Sequence, residues 1–245
     1  FARKQGIAPV LVEHGSAHLS MGSPTVNIAV EAVEHALTLL DKRQRPAYYA
    51  VSKKASAWLE HFGIASAGEL PNAIDADTYA AGASKRNFRE ELGISDDALL
   101  VASAGRLIPE KGVLQLAQAV KTLHQEGCNV HIAMAGAGPL EAQLAAVDAP
   151  NLHLVGKLSK PDLTALYRQA DVYCLPSRSE GFATTLLESA ACGTPAIVTN
   201  VGGTDELIPN ERFGTIIADR EPETIANALQ AAMRNRATLQ AQGEA

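Results

Sequence analysis

The chain has 245 residues, 47% of them apolar and 20% charged, with 19 Gly and 12 Pro. This is an ordinary globular composition and excludes a disordered, collagenous or repeat-dominated protein. Its 21 Lys and Arg against 27 Asp and Glu leave a net charge of −6. With no basic stripe to neutralise a phosphate backbone, no nucleic-acid partner is expected.

Short β-branched runs bounded by Gly, Pro or Asn alternate with longer amphipathic stretches, the pattern of βαβ units on a parallel sheet. Strands are predicted near 9–13, 47–51, 67–70, 99–104, 129–135, 152–155, 171–175, 195–199 and 213–217. Helices are predicted near 24–41, 53–62, 85–92, 112–126, 139–147, 159–169, 183–191 and 221–240. From residue 99 onward the strands are continuous apolar runs, which predicts burial on both faces in a doubly wound α/β sheet.

The polar, turn-rich stretch 71–98 reads as a linker, with a boundary near residue 75. Residues 1–75 then form the C-terminal part of one domain, 76–220 a second domain and 221–245 a terminal helix. The chain opens on Phe1 directly ahead of a strand-like segment and is read as a piece of a longer protein. Cys128, Cys174 and Cys192, an odd number without a CxxC pair, sit in apolar stretches and predict buried thiols in a reducing, cytoplasmic compartment. No apolar run approaches the roughly 18 residues of a membrane span, and no signal-peptide core is present at the N-terminus.

Four segments follow predicted strands at their C-terminal ends, the edge where open parallel sheets bind ligands. In GRLIPEKG, Arg106 and Lys111 stand five residues apart on a loop entering a helix. Two cations beside free helix amides suit a diphosphate, although two solvated surface charges fit the spacing equally well. The segment does not meet the phosphate-loop pattern. GAGPLE begins like a dinucleotide fingerprint but lacks the third glycine, which argues against a nicotinamide cofactor, and Pro139 suits a first helical position.

In PSRSEGFATTLLE, Glu180 and Glu188 flank a glycine turn and a Thr-Thr helix start, so the pair can bind hydroxyls. Ser177-x-x-Glu180 and Thr185-x-x-Glu188 also match capping boxes. VGGTDE offers two glycines for a tight turn or a close approach to ligand. His14 follows a strand and precedes a glycine, a place from which it can serve a substrate or simply be packed. Asp75-Ala76-Asp77 is a DxD pair without a third oxygen ligand, so no metal site is expected from it. No hydrolase motif is present.

In this order and on these elements, GRLIPEKG, GAGPLE, VGKLSKPDLTALYRQADVYCLPSRSEGFATTLLESAACGTPAIVTNVGGTDELI, VSKKASAWL and PNAID resemble the retaining GT-B glycosyltransferases of the glycosyltransferase family 4 (group 1) type. The resemblance implies a GT-B fold: a Rossmann-like doubly wound parallel sheet domain plus the C-terminal part of a second Rossmann-like domain. It implies a hexosyltransferase that moves a sugar from a nucleotide diphosphate to an acceptor hydroxyl with retention, in polysaccharide or glycolipid synthesis. The donor nucleotide would be UDP ahead of GDP, and no cofactor or metal would be needed.

By the same resemblance, Arg106, Lys111 and Gly105 would meet the diphosphate, and the Leu158 backbone the nucleobase. Glu188 would bind the ribose, while Glu180 and His14 would contact the donor sugar beside the backbone of Gly181, Phe182, Ala183 and Thr184. His14, Arg106, Lys111 and Glu180 would thus be the catalytic set. Acceptors of this type include saccharides and lipid-linked saccharides, which implies peripheral association with the inner membrane face. The family's N-terminal glycine-rich loop lies outside this sequence, so the chain alone is expected to be inactive. A nucleotide-sugar-binding module or scaffold subunit without catalysis of its own is the alternative.

Overall fold

The computed structural model describes residues 5–19 and 23–244. The chain divides into two compact units, a smaller one of residues 1–72, 179–182 and 201–203 and a larger one of 73–178, 183–200 and 204–245.

In the smaller unit, strand β1 (Val10–Glu13) runs parallel to β2 (Ala47–Ala50) and connects to it through helix α1 (Pro24–Arg43). Pro24 opens α1, where its missing amide hydrogen has no intrahelical partner to lose, and Lys42 and Arg43 close it at the negative end of the dipole. Helix α2 (Lys53–His61) starts at Ser52, whose hydroxyl accepts the Ala55 amide hydrogen at 3.1 Å. Ala50, Val51, Ala55, Leu59 and Ile64 are buried between them.

The strand expected over 67–70 is reduced to a single bridge between Ala50 and Glu69. There the Ser66 hydroxyl bonds both the amide and the carbonyl of Gly68, a local arrangement that competes with a longer ladder.

The larger unit begins with helices α3 (Ala76–Ala81) and α4 (Phe88–Glu91), then strand β3 (Leu99–Ala104). After a 3-10 turn at Pro109–Lys111 come α5 (Val113–Gln125), β4 (Val130–Ala135), α6 (Glu141–Ala145), β5 (Leu152–Gly156) and α7 (Lys160–Gln169). The chain continues through β6 (Val172–Leu175), α8 (Thr184–Ala191), β7 (Ala196–Thr199), α9 (Thr204–Leu207) and β8 (Thr215–Ile217). It ends in α10 (Pro222–Arg234) and α11 (Arg236–Gly243).

All six strands are parallel, in the order β5-β4-β3-β6-β7-β8. This is the Rossmann order, and its direction of progress reverses between β3 and β6. Every residue of β3, β6 and β7 is buried, as their unbroken apolar runs require. Because successive side chains alternate faces, Leu99 and Val101 pack with α5, α6 and α10 on one side. Leu100 and Ala102 pack with residues of α3, α4, α7 and α8 on the other.

At the opposite edge of the sheet from the strand C-termini, Asp171 accepts the Leu100 amide hydrogen at 2.7 Å and a bond from Arg89 at 2.6 Å. Arg236 approaches its other oxygen at 3.4 Å.

Three local expectations are corrected. The stretch 71–98 contains α3, because Asp75 caps it: the amide and hydroxyl of Thr78 donate to its carboxylate at 3.0 and 2.8 Å. The terminal helix breaks at Asn235, whose backbone leaves the helical region and whose side chain accepts from Thr238 to start α11. Pro139 is not the first helical residue, since it lies in the turn ahead of α6. Of the cysteines, only Cys174 is fully buried, its thiol pushed up to about 12 by desolvation, while Cys128 and Cys192 are half-buried. No helix of the described residues is long and apolar enough to cross a membrane.

Candidate functional site

The larger unit carries an open cavity of about 410 Å³ at the C-terminal ends of β3, β4 and β5, beside the reversal of strand order. Ala104, Gly105 and Arg106 line it from β3, Ala135, Gly136 and Ala137 from β4, and Lys157 and Leu158 from the segment after β5. Leu163 of α7 and Thr185 of α8 complete the lining.

The floor depends on one close approach. A Cβ on Gly136 would stand 1.8 Å from the Gly105 carbonyl oxygen, and Gly136 sits at φ +147°. Only glycine satisfies both conditions. Gly105 N–H to the Ala135 carbonyl at 3.0 Å ties the ends of β3 and β4, and Gly136 N–H to the Gly156 carbonyl at 2.8 Å ties the end of β4 to β5.

The two cations of GRLIPEKG are placed differently. Arg106 is exposed on the cavity wall. Lys111 is half-buried, and its stem passes over Gly105, with Cε 3.8 Å from the position a Cβ would take there. The loop is anchored to the one after β6, where the Arg178 amide donates to the Glu110 carbonyl at 2.7 Å.

Neither expected capping box forms at α8. Its N-cap is Ala183, and no side chain caps the first amides. Thr185 instead pairs with the Tyr173 hydroxyl at 2.6 Å, which keeps Tyr173 satisfied in the core. An uncapped helix N-terminus favours an anion through its amides and dipole.

One turn further along, Glu188 is half-buried, and desolvation raises its carboxyl above the ordinary value of 4.5. The neighbouring Tyr79 hydroxyl and Lys160 ammonium partly offset that rise. Lys160 also lies 4.8 Å from the centre of the Tyr79 ring. Burial pushes the Tyr79 phenol up to about 12, so it is a hydrogen-bond donor at neutral pH.

The smaller unit assembles a second set. A Cβ on Gly181 would fall 1.4 Å from the His14 carbonyl oxygen, so the two backbones touch and only glycine is accommodated. The Ser16 hydroxyl donates to the Glu180 carbonyl, and the buried Ser52 hydroxyl donates to the Gly181 carbonyl at 3.0 Å. Phe182 packs its ring against Gly203. His14 itself is exposed.

The structure therefore brings Gly105, Arg106 and Leu158 to one cavity, with the Lys111 stem beside Gly105 and with Thr184 and Glu188 on the helix that follows the N-cap Ala183 and whose Thr185 lines it. It gathers His14, Glu180, Gly181 and Phe182 in the smaller unit. Lys157 and Thr185 are lining residues that the sequence reasoning did not single out. Thr185 carries a signal as the second residue of the Thr-Thr helix start, where its sequence fits a capping box and a ligand-binding helix start alike. Among the described residues, Asp75 acts as a helix cap.

The sequence profile described as "Glycosyl transferases group 1" matches residues 84–245. The chain is 31% identical over 204 residues to a D-inositol 3-phosphate glycosyltransferase of Geodermatophilus obscurus, covering 77% of this chain and 45% of that protein. It is also 31% identical over 195 residues to a GDP-mannose-dependent alpha-(1-6)-phosphatidylinositol monomannoside mannosyltransferase of Mycolicibacterium smegmatis, covering 74% of this chain and 50% of that protein. The chain thus spans about half the length of the curated relatives it matches. Among solved structures, Anabaena Alr3699/HepE in complex with UDP superposes with a TM-score of 0.74 at 20% identity, over 99% of this chain and 67% of that one.

Proposed function

The chain belongs to the group 1 glycosyl transferases, and from that premise we propose that it carries the donor site of a retaining GT-B hexosyltransferase of the glycosyltransferase family 4 type. The donor is a nucleotide-diphosphate sugar, UDP-linked ahead of GDP-linked, and the acceptor a saccharide or lipid-linked hydroxyl in polysaccharide or glycolipid synthesis. The observation that carries the reading is the cavity at the strand-order reversal. There Arg106 and, through Thr185, the uncapped start of α8 line one opening, and the Lys111 stem runs beside Gly105 of that lining.

In this reading Arg106, Lys111 and the α8 amides receive the diphosphate, and the Leu158 backbone lies beside the base. Glu188 accepts the ribose hydroxyls, whose donated hydrogen bonds favour the ionised carboxylate that burial disfavours. His14 and Glu180 contact the donor sugar, with the Gly181 to Thr184 backbone alongside. UDP in the HepE complex and GDP-mannose in the name of the Mycolicibacterium relative support a nucleotide-diphosphate sugar as the donor class. The preference for UDP is the proposal's own.

Transfer with retention is then a front-face displacement. The anomeric C–O bond to the phosphate breaks, the acceptor oxygen bonds the same face, and its proton passes to the departing phosphate oxygen. Negative charge grows on the diphosphate as that bond lengthens. Fixed donors such as Arg106 and Lys111 stabilise it, each typically by about 3 kcal/mol. Acceptors of the lipid-linked class would bring the protein to the inner membrane face.

The test is calorimetric titration of this chain with UDP, GDP and ADP. UDP is expected to bind most tightly, and Arg106→Ala or Lys111→Ala to weaken it by about 10–100-fold, the loss of charge-assisted contacts of about 1.5–3 kcal/mol. Equal affinities in wild type and both variants overturn the assigned roles.

A further inference from the structure

Away from the sites described above, three histidines converge in the smaller unit. His18 follows β1, His35 lies on α1 and His61 is the last residue of α2. One ring nitrogen from each lies within 4.8 Å of the other two. His18 and His61 face each other through their Nε2 atoms at 3.1 Å.

The protonation pattern follows from Glu34. Its carboxylate meets His18 Nδ1 while its other oxygen accepts the Leu19 amide hydrogen at 3.1 Å. A carboxylate only accepts, so His18 Nδ1 carries a proton, and in the neutral ring Nε2 then presents its lone pair. That lone pair is aimed at His61. A carboxylate that fixes one ring nitrogen so that the other presents its lone pair is the usual support of a metal-bound histidine.

The distances agree. Two imidazoles on a tetrahedral zinc, with Zn–N of about 2.0–2.1 Å, place their nitrogens about 3.3 Å apart. The 3.1 Å pair already matches, and the widest separation closes by about 1.5 Å, within reach of a rotation of the exposed His35 ring. Packing holds the frame: Trp58 stacks on His61 at 4.8 Å and 3°, and Phe62 meets His35 at 4.8 Å.

We propose that His18, His35 and His61, with Glu34 orienting His18, form a three-imidazole site for a first-row divalent cation, zinc foremost, with water as the fourth ligand. Imidazole ligands suit zinc, copper or nickel and not magnesium or calcium. The ion joins the loop after β1, which begins at His14, to the middle of α1 and the end of α2. None of this depends on the glycosyl-transfer reading.

The experiment is titration of the metal-free chain with zinc, and separately with cobalt(II), followed by calorimetry and visible absorption. One zinc per chain is expected, with a rise in Tm and, for cobalt, the intense visible bands of a four-coordinate nitrogen site. His35→Ala and His61→Ala should each weaken zinc by at least tenfold and abolish those bands, and Glu34→Gln should weaken it by about tenfold. Both histidines are exposed, so an unchanged metal-free melting curve certifies the variants. Magnesium should give no saturable signal. No saturable zinc uptake, or uptake unchanged in the histidine variants, overturns the site.

Discussion

Replacing Gly136 by alanine tests whether the cavity floor rests on the close approach of two strand ends. The new Cβ would stand 1.8 Å from the Gly105 carbonyl oxygen, whereas real Cβ atoms essentially never come within 3.0 Å. Restoring that separation moves the ends of β3 and β4 apart by more than an ångström. Both bonds that flank the β4 end are then distorted, Gly105 N–H to Ala135 stretched on the β3 side and Gly136 N–H to Gly156 displaced on the β5 side, at about 1 kcal/mol each. The left-handed φ of +147° adds about 1–3 kcal/mol for a residue with a side chain. The expected cost is therefore about 3–5 kcal/mol, a large share of a domain's stability.

Gly127 is the control. It has a φ of +78° but nothing within 4 Å of a Cβ, so Gly127→Ala should cost only about 1–2 kcal/mol. Urea unfolding of both variants measures the difference, and UDP titration of the folded fraction reports on the cavity. If Gly136→Ala is no more destabilised than Gly127→Ala and binds UDP as wild type does, the strand ends do not constrain the site.

Glu188→Gln should melt higher than wild type at pH 7.5 and bind nucleotide more weakly. Burial raises the folded pKa of Glu188, so its ionised form costs stability fully above that pKa, and the cost vanishes below the unfolded value near 4.5. The advantage should therefore shrink on acidification to pH 4, and a wild type that melts higher at pH 7.5 would contradict the sign. Asp171→Ala should lose about 2 kcal/mol in urea unfolding, because it leaves the Leu100 amide without its acceptor and takes the carboxylate from Arg89, which keeps only the carbonyls of Gln169, Ser95 and Ala98. A loss below about 1 kcal/mol would show that water replaces the carboxylate. Ser52→Ala should cost about 1 kcal/mol through the lost cap of α2. It should also speed amide exchange in the first turn of that helix and at residues 179–182, and unchanged exchange there would assign Ser52 to the cap alone.

The strands of the larger unit were legible because burial on both faces leaves unbroken apolar runs such as LLVASA and AIVT. The reversal of strand order was not visible in any single segment, since it depends on which side of β3 the chain returns to. Polar composition hid α3, where the decisive signal was Asp75 and its bonds to Thr78. Conversely, amphipathic spacing carried straight through Asn235 and masked the break, because periodicity records faces and not caps.

At the cavity, Arg106 and Lys111 were readable as charges, but the path of the Lys111 stem over Gly105 was not. The role of the Thr185 side chain was not legible, because a hydroxyl at a helix start fits a capping box and pairing with a distant Tyr173 equally well. The histidine cluster was invisible for the plainest reason: residues 18, 35 and 61 have no common spacing and meet only through three separate elements.

Residues 179–182 and 201–203 pack with the smaller unit although the chain reaches them from β6 and β7. During synthesis, the polypeptide must therefore be extended to residue 203 before the His14 and Ser52 backbone partners, and the glycine under Phe182, are all available. Neither unit corresponds to one continuous stretch of gene. A cut in the linker after residue 72 would strip the smaller unit of Glu180, Gly181 and Phe182 and leave those loops in the larger one without the surfaces that order them. Recombination at that linker is thus expected to yield halves that must find each other again.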